Sequence, residues 1–267
     1  MPLKQLIIIT IFLMSCDTGK LNVVADIPNH LKEVSAVETT TQSDLMWVIE
    51  DAGNDNHLYA LDTSGNIKKD LTILNSENID WEDLTSDKVG NIYIGDFGNN
   101  NKKRYHFTIY KVTNPDNAEK SSTAEKIGFK LPENIKSRDF EAFFLMNDFF
   151  YVISKESNKF IMVKVPNKEG EHEAELISEF KLEGKYNRIT SADISEDGNS
   201  VVLLNHDKVW LLTEFESDRF FEGKIEAFKF GYDSQKEGVC FSKNNSLFIT
   251  EESNGAMGSN IYHLDIN

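Results

Sequence analysis

The chain repeats itself five times, and the period of that repeat limits its fold more than any other feature. The repeating unit begins with a triplet of Ser or Glu, then a small or acidic residue, then in most copies an apolar one. It occurs as Ser35-Ala36-Val37, Glu82-Asp83-Leu84, Glu141-Ala142-Phe143, Ser191-Ala192-Asp193 and Glu237-Gly238-Val239. The spacings are 47, 59, 50 and 46 residues, the length of a blade built from four strands.

Each triplet is followed by an apolar strand that ends on a polar residue: Trp47–Asp51, Ile92–Asp96, Tyr151–Lys155, Val201–Asn205 and Leu247–Glu251. Four of these run into a common loop pattern, seen as Asp51-Ala52-Gly53-Asn54, Asp96-Phe97-Gly98-Asn99, Lys155-Glu156-Ser157-Asn158 and Glu251-Glu252-Ser253-Asn254. A third, alternating strand comes next in every copy, for example Phe107–Val112. A fourth strand follows in four copies: Ile67–Ile73, Lys126–Leu131, Leu176–Leu182 and Lys224–Phe230. The last copy ends before it can form one. The missing strand lies at the other end, where Leu21–Ile27 precedes the first triplet. This pattern predicts an all-β, five-bladed β-propeller of four-stranded blades over 21–267, closed when strand 21–27 joins the C-terminal blade. A sixth triplet is absent, and the polar insert Thr113–Thr123 accounts for the longest spacing.

Composition agrees with this fold and narrows the partners. With 40% hydrophobic residues the chain carries enough apolar material for a large core. Against 28 basic residues stand 44 acidic ones, a net charge of −16 that repels a phosphate backbone and excludes sequence-independent nucleic-acid binding. Cations and small polar ligands suit it better.

The N-terminus reads as a targeting segment. Lys4 precedes the apolar run Leu6–Met14, which is too short to span a bilayer and suits a signal-peptide core. Leu13-Met14-Ser15-Cys16 resembles a bacterial lipobox, which implies a signal peptide over 1–15, a lipid on Cys16, and a short tether over 16–20. A protein so anchored sits at the cell membrane or outer membrane, facing the periplasm or the cell surface. Cys240, in the apolar strand Val239-Cys240-Phe241, then has no disulfide partner and reads as a small buried hydrophobe.

In a propeller the connection entering the innermost strand and the loop after the second strand share one face. Glu82, Glu141 and Glu237 are therefore expected at the channel mouth, with Ser35 and Ser191 completing the ring and Asp51, Asp96 and Glu251 just outside it. So many carboxylates in one place need a cation, a shared proton or basic neighbours. Calcium suits the set, since it takes six to eight oxygen ligands without strict directions. We expect Glu82, Glu141, Glu237, Asp51 and Asp96 to serve as metal ligands. Arg138, Arg188, Lys155, Ser35, Ser191 and Glu251 are the expected ligand-binding residues, with the basic ones suited to clamping an anion. The six His form no zinc-spaced pair, and no nucleophile elbow is present.

The ordered segments Glu33–Val37, Asp80–Leu84, Asp139–Phe143, Ile189–Asp193 and Gln235–Val239 resemble the SdiA-regulated (YjiK-like) bacterial propeller family, which shows the same Ser, Glu, Glu, Ser, Glu order. The resemblance covers nearly all of 21–267 and implies an envelope propeller of unestablished activity. More distantly, the chain resembles phytase-like esterase and gluconolactonase propellers, which implies calcium held near the axis. The expected function is a monomeric, lipid-anchored propeller binding calcium and a small polar ligand or protein partner. A metal-dependent hydrolase of phosphoesters or lactones and a structural scaffold are the alternatives.

Overall fold

A computed structural model describes residues 19–156, 158–184, 187–243, 246–253 and 259–266. Cys16 and the signal segment lie outside the described residues, as does Ser157. The described residues form twenty-one strands and two short 3-10 turns, Pro115–Asn117 and Phe220–Glu222.

Strand β1 (Asn22–Asp26) comes first. The first blade is β2 (Val34–Thr39), β3 (Met46–Glu50), β4 (His57–Leu61) and β5 (Ile67–Leu74). The second is β6 (Trp81–Ser86), β7 (Ile92–Asp96), β8 (His106–Val112) and β9 (Ser121–Lys130). The third is β10 (Phe140–Met146), β11 (Phe149–Ser154) and β12 (Phe160–Pro166), then the short β13 (Gly170–Glu173), then β14 (Glu175–Phe180) as outer strand. The fourth is β15 (Ser191–Ile194), β16 (Ser200–Leu204), β17 (Lys208–Thr213) and β18 (Lys224–Lys229). The fifth is β19 (Lys236–Phe241), β20 (Ser246–Glu251) and β21 (Asn260–Asp265), completed by β1.

That completion is antiparallel, with Asn22 opposite His263 and Asp26 opposite Asn260. The innermost strands β2, β6, β10, β15 and β19 each touch the next, and β19 touches β2, so the ring is closed. Two connections go beyond the expected pattern. Strands β5 and β9 pair in parallel at Thr72–Leu74 and join the first two blades into one sheet. Strand β13 leaves the third blade and pairs in parallel with β9.

Blades pack face to face, so alternate residues of one strand enter different cores. Ile92 and Ile94 of β7 pack with Trp47 and Trp81 of the first and second blades, whereas Tyr93 between them packs with Phe143 and Phe150 of the third. Likewise Phe150 and Val152 face the second blade while Tyr151 and Ile153 face the fourth. The five resulting apolar clusters coincide with the five blade junctions. Cys240 is a free, fully buried member of the junction between the fifth and first blades. No helix among the described residues is long and apolar enough to cross a membrane.

Candidate functional site

At the start of each innermost strand an extra residue interrupts the ladder. The register slips between Val34 and Ala36, Trp81 and Asp83, Phe140 and Ala142, and Lys236 and Gly238. These bulges turn Ser35, Glu82, Glu141 and Glu237 out of the sheet toward the channel mouth. In the fourth blade the doubled residue is Thr190. Its N–H donates to Leu204 O at 3.0 Å, while Ser191 is already paired with Leu204. The side chains agree: Thr190 Oγ1 donates to Lys236 O at 2.8 Å, as Ser35 Oγ donates to Trp81 O at 3.1 Å. Ser191, expected in the ring, instead donates to Asp83 Oδ1 at 2.8 Å and accepts from Val239 N at 3.0 Å. It ties three innermost strands together inside the channel.

Two further sets of residues flank the bulges. Glu33, Asp80, Asp139, Arg188 and Gln235 stand two positions earlier in sequence. Glu50, Asp96, Ser154 and Glu251 pair with the residue before each bulge, so the positions that follow them are Asp51, Phe97, Lys155 and Glu252, with His206 after Asn205 in the fourth blade. Successive residues of a strand point to opposite sides. For this reason Asp51, Lys155 and Glu252 line the mouth, whereas Asp96 and Glu251 do not. Asp96 is fully buried, accepting from Arg104 Nη1 at 2.9 Å and from Asp80 N at 3.1 Å. Glu251 accepts the Tyr262 hydroxyl. Arg138 lies 3.6 Å from Glu156 and lines neither cavity described below. Arg188 does line one.

A cavity of about 270 Å³ occupies the mouth and is walled by Ser35, Asp51, Glu82, Glu141, Lys155, Glu237 and five other residues on the same face, Val34 being its one apolar wall besides. A second cavity of about 460 Å³ adjoins it, sharing Lys155, Gln235 and Glu237 and adding Asn187, Arg188, His206 and Asp233. At the edge of the first, ligand oxygens of Asp51 and Glu82 from its wall and of Asp80 behind them all lie within 4.8 Å of one another. Asp51 and Asp80 are in hydrogen-bonding contact, as are Glu82 and Glu141. Glu141 Oε2 is 2.9 Å from Lys155 Nζ, and Glu141 Oε1 is buried without a donor among the described residues. On the far wall His206 Nε2 lies 3.1 Å from Glu237.

Burial controls the proton affinities here. It raises Glu82 well above the usual carboxylate range, with Glu141 and Asp51 adding to the effect. It pushes Asp80 up to about 7, reinforced by Asp51, and Glu141 up to about 7 against the opposing pull of Lys155. Glu252 is likewise pushed up to about 7 by burial and then by Glu237 and Asp51. Lys155 moves upward: its burial works against the charge, and Glu141, Glu237 and Glu82 outweigh it. Touching carboxyls that cannot all ionise without compensation have two remedies, a retained proton or a bound cation.

The backbone is fitted around this group. A Cβ at Gly98 would lie 2.0 Å from Glu82 Oε1 and 2.5 Å from Asp80 Oδ2. The loop carrying Gly98 is held by Arg104, which donates to Gly98 O at 2.9 Å and to Asp96 O at 3.1 Å.

No protein-family profile matches the chain, and no curated protein matches it. Solved structures do. The PQQ-bound form of an aldose sugar dehydrogenase from Streptomyces coelicolor superposes with a TM-score of 0.55 at 7% identity, over 92% of this chain and 98% of its own. A glucose dehydrogenase superposes with a TM-score of 0.53 at 7% identity, over 92% of this chain and 99% of its own. At that identity the likeness is one of fold, and it identifies the chain as a β-propeller.

Proposed function

We propose that the protein binds a divalent cation, calcium, in the acid-lined mouth of its channel, and with it a small polar ligand. The observation that carries this reading is the approach of Asp51, Asp80 and Glu82 oxygens to within 4.8 Å of one another. Calcium–oxygen bonds of about 2.4 Å put opposite ligands about 4.8 Å apart, so the three carboxylates are close enough together to share one such ion. Glu141 Oε1, buried and lacking a donor among the described residues, gives a second reason for a cation nearby.

The quinone named for one structural neighbour does not fit this mouth. Pyrroloquinoline quinone is a tricarboxylate, and the cavity already presents Glu33, Asp51, Glu82, Glu141, Glu237 and Glu252 with Lys155 as the lone cation. Mutual repulsion opposes its entry. A hydrolase reading would have to use water activated on the cation, because the hydroxyls on the ring, Ser35 and Thr190, donate to the carbonyls of Trp81 and Lys236.

Four of the five bulge residues, Ser35, Glu82, Glu141 and Glu237, keep the family's order, with Thr190 departing from Ser in the fourth place, and this supports kinship with the SdiA-regulated propellers. The lipobox-like Leu13–Cys16 supports a signal segment over 1–15, a tether over 16–20 anchored through Cys16, and an envelope location for the propeller over 21–267. The protein would work there as a monomer, on a small ligand or a protein partner presented to the mouth. Calcium titrated into metal-stripped protein tests the central claim, because a ligand of the native state raises its melting temperature. Wild type should gain several degrees and Asp80→Asn should gain none. No shift up to about 10 mM calcium, above the range of weak extracellular sites, overturns the reading.

A further inference from the structure

The five blades do not contribute charge equally to the mouth. Sorted by blade, the flanking and bulge positions read Glu33, Ser35 and Asp51 in the first, Asp80, Glu82 and Phe97 in the second, and Asp139, Glu141 and Lys155 in the third. The fifth supplies Gln235, Glu237 and Glu252. Every one of these blades places at least one carboxylate on the face. The fourth blade supplies Arg188, Thr190 and His206, with no acid at any of the three positions.

Position in the ring gives that difference a direction. The innermost strand of the fourth blade adjoins those of the third and fifth, so the first and second blades, which carry Asp51, Asp80 and Glu82, lie on the far side of the axis. The mouth is therefore uneven across its width, with an acidic wall facing a side where Lys155, Arg188 and His206 stand beside Asp233 and Glu237. On that side Lys155 is engaged by Glu141 and His206 by Glu237. Arg188 is exposed, lines the second cavity, and makes no ion pair among the described residues.

Beside it Asn187 is 6% exposed, and its orientation is fixed because Nδ2 donates to Leu182 O at 2.6 Å and Gly184 O at 3.0 Å. That leaves Asn187 Oδ1 buried without a donor among the described residues. A ligand group that satisfies it must donate, as a hydroxyl does. All seven residues lining this second cavity carry a polar or charged group.

From this arrangement we infer that the ligand is a small hydroxylated anion lying across the mouth. Its carboxylate or phosphate is held by Arg188, with His206 alongside, its hydroxyls face Asn187, and its opposite end approaches the cation held by Asp51, Asp80 and Glu82. The planar guanidinium donates two parallel hydrogen bonds to either oxyanion, which makes Arg188 the specificity-determining contact. The inference rests on the cation reading for the far pole alone.

Glucose, gluconate and glucose 6-phosphate test it on one carbon skeleton that is neutral, carboxylated or phosphorylated. Each is titrated at fixed ionic strength, with and without calcium, into wild type, Arg188→Met, Arg188→Lys and Asp80→Asn, and followed by thermal shift and calorimetry. We expect one or both anions to bind wild type more tightly than glucose, the better of the two naming the oxyanion. Arg188→Met should lose about tenfold in anion affinity, the scale of a lost charge-assisted pair, and keep its calcium affinity. Arg188→Lys should recover part of the loss. Binding of glucose as tight as that of both anions, or unaltered anion binding by Arg188→Met, overturns the inference and leaves the cation reading standing. Arg188-dependent anion binding in a protein that calcium does not stabilise overturns the cation reading and supports the anion subsite. Since Arg188 is exposed, its replacement leaves the core untouched.

Discussion

Glu82 and Glu141, from neighbouring blades, hold their carboxyl groups against each other, and Lys155 reaches only the second of them, at 2.9 Å. One positive charge therefore stands against two buried acids. This imbalance underlies most of what the mouth is expected to do.

Lys155→Met removes the one ammonium in contact with that pair. A buried charge deprived of its partner costs about 3 kcal/mol or more. The loss should be larger at pH 8 than at pH 5, because Glu141, pushed up to about 7, is protonated at the lower pH and needs no partner. Urea unfolding at the two pH values measures it.

Stability of the metal-free protein should fall as pH rises from about 5 to about 8. Asp80, Glu141, Asp193 and Glu252 are each pushed up to about 7, first of all by burial. A carboxyl whose folded value lies above its unfolded value near 4 keeps its proton better in the folded state. The stability it adds is complete below the unfolded value and is lost as pH passes through the folded one. Saturating calcium, which favours the ionised form, should flatten this slope, and melting curves across the range would show it.

Gly98→Ala pushes a methyl group against the buried Glu82 and the half-buried Asp80. The expected cost is about 1–3 kcal/mol, that of overpacking a filled site. Calcium-dependent stabilisation should disappear along with it. A variant that still gains several degrees from calcium would show that Gly98 is not part of the cradle.

Deleting residues 1–27 removes β1 and leaves the outer edge of β21 unpaired between Asn260 and Asp265. Open strand edges recruit other chains. The truncated protein should elute as dimers and larger species in size-exclusion chromatography, and a synthetic peptide spanning 19–27 should restore the monomer.

The ring could be read from the sequence because each blade must repeat the same alternation to fill its two junctions. Trp47, Ile49, Ile92 and Ile94 report that period directly. The closing strand was legible for the same reason, since the fifth copy lacked an outer strand and 21–27 supplied one. The mouth was less legible, because bulges shift the count by one residue and a one-residue shift reverses which side a side chain faces. Ser191 was aligned where Thr190 belongs, Glu251 where Glu252 belongs, and Asp96 was matched to Asp51 although it is equivalent to Glu50. A signal was present: Val34, Trp81, Phe140 and Ile189 are the apolar residues directly before the bulge, and counting from Ile189 selects Thr190. Asp80, Glu33 and His206 were missed because they lie outside the repeating triplets. The parallel pairing of β5 with β9 depends on an insert that has no counterpart in the other copies.

The pairing of Asn22 with His263 joins the two ends of the propeller, β1 and β21. Until β21 has been made, β1 has no partner and the fifth blade cannot be completed. Closing the ring is therefore a long-range step that comes late in folding, and the edge of β1 needs shielding until β21 reaches it.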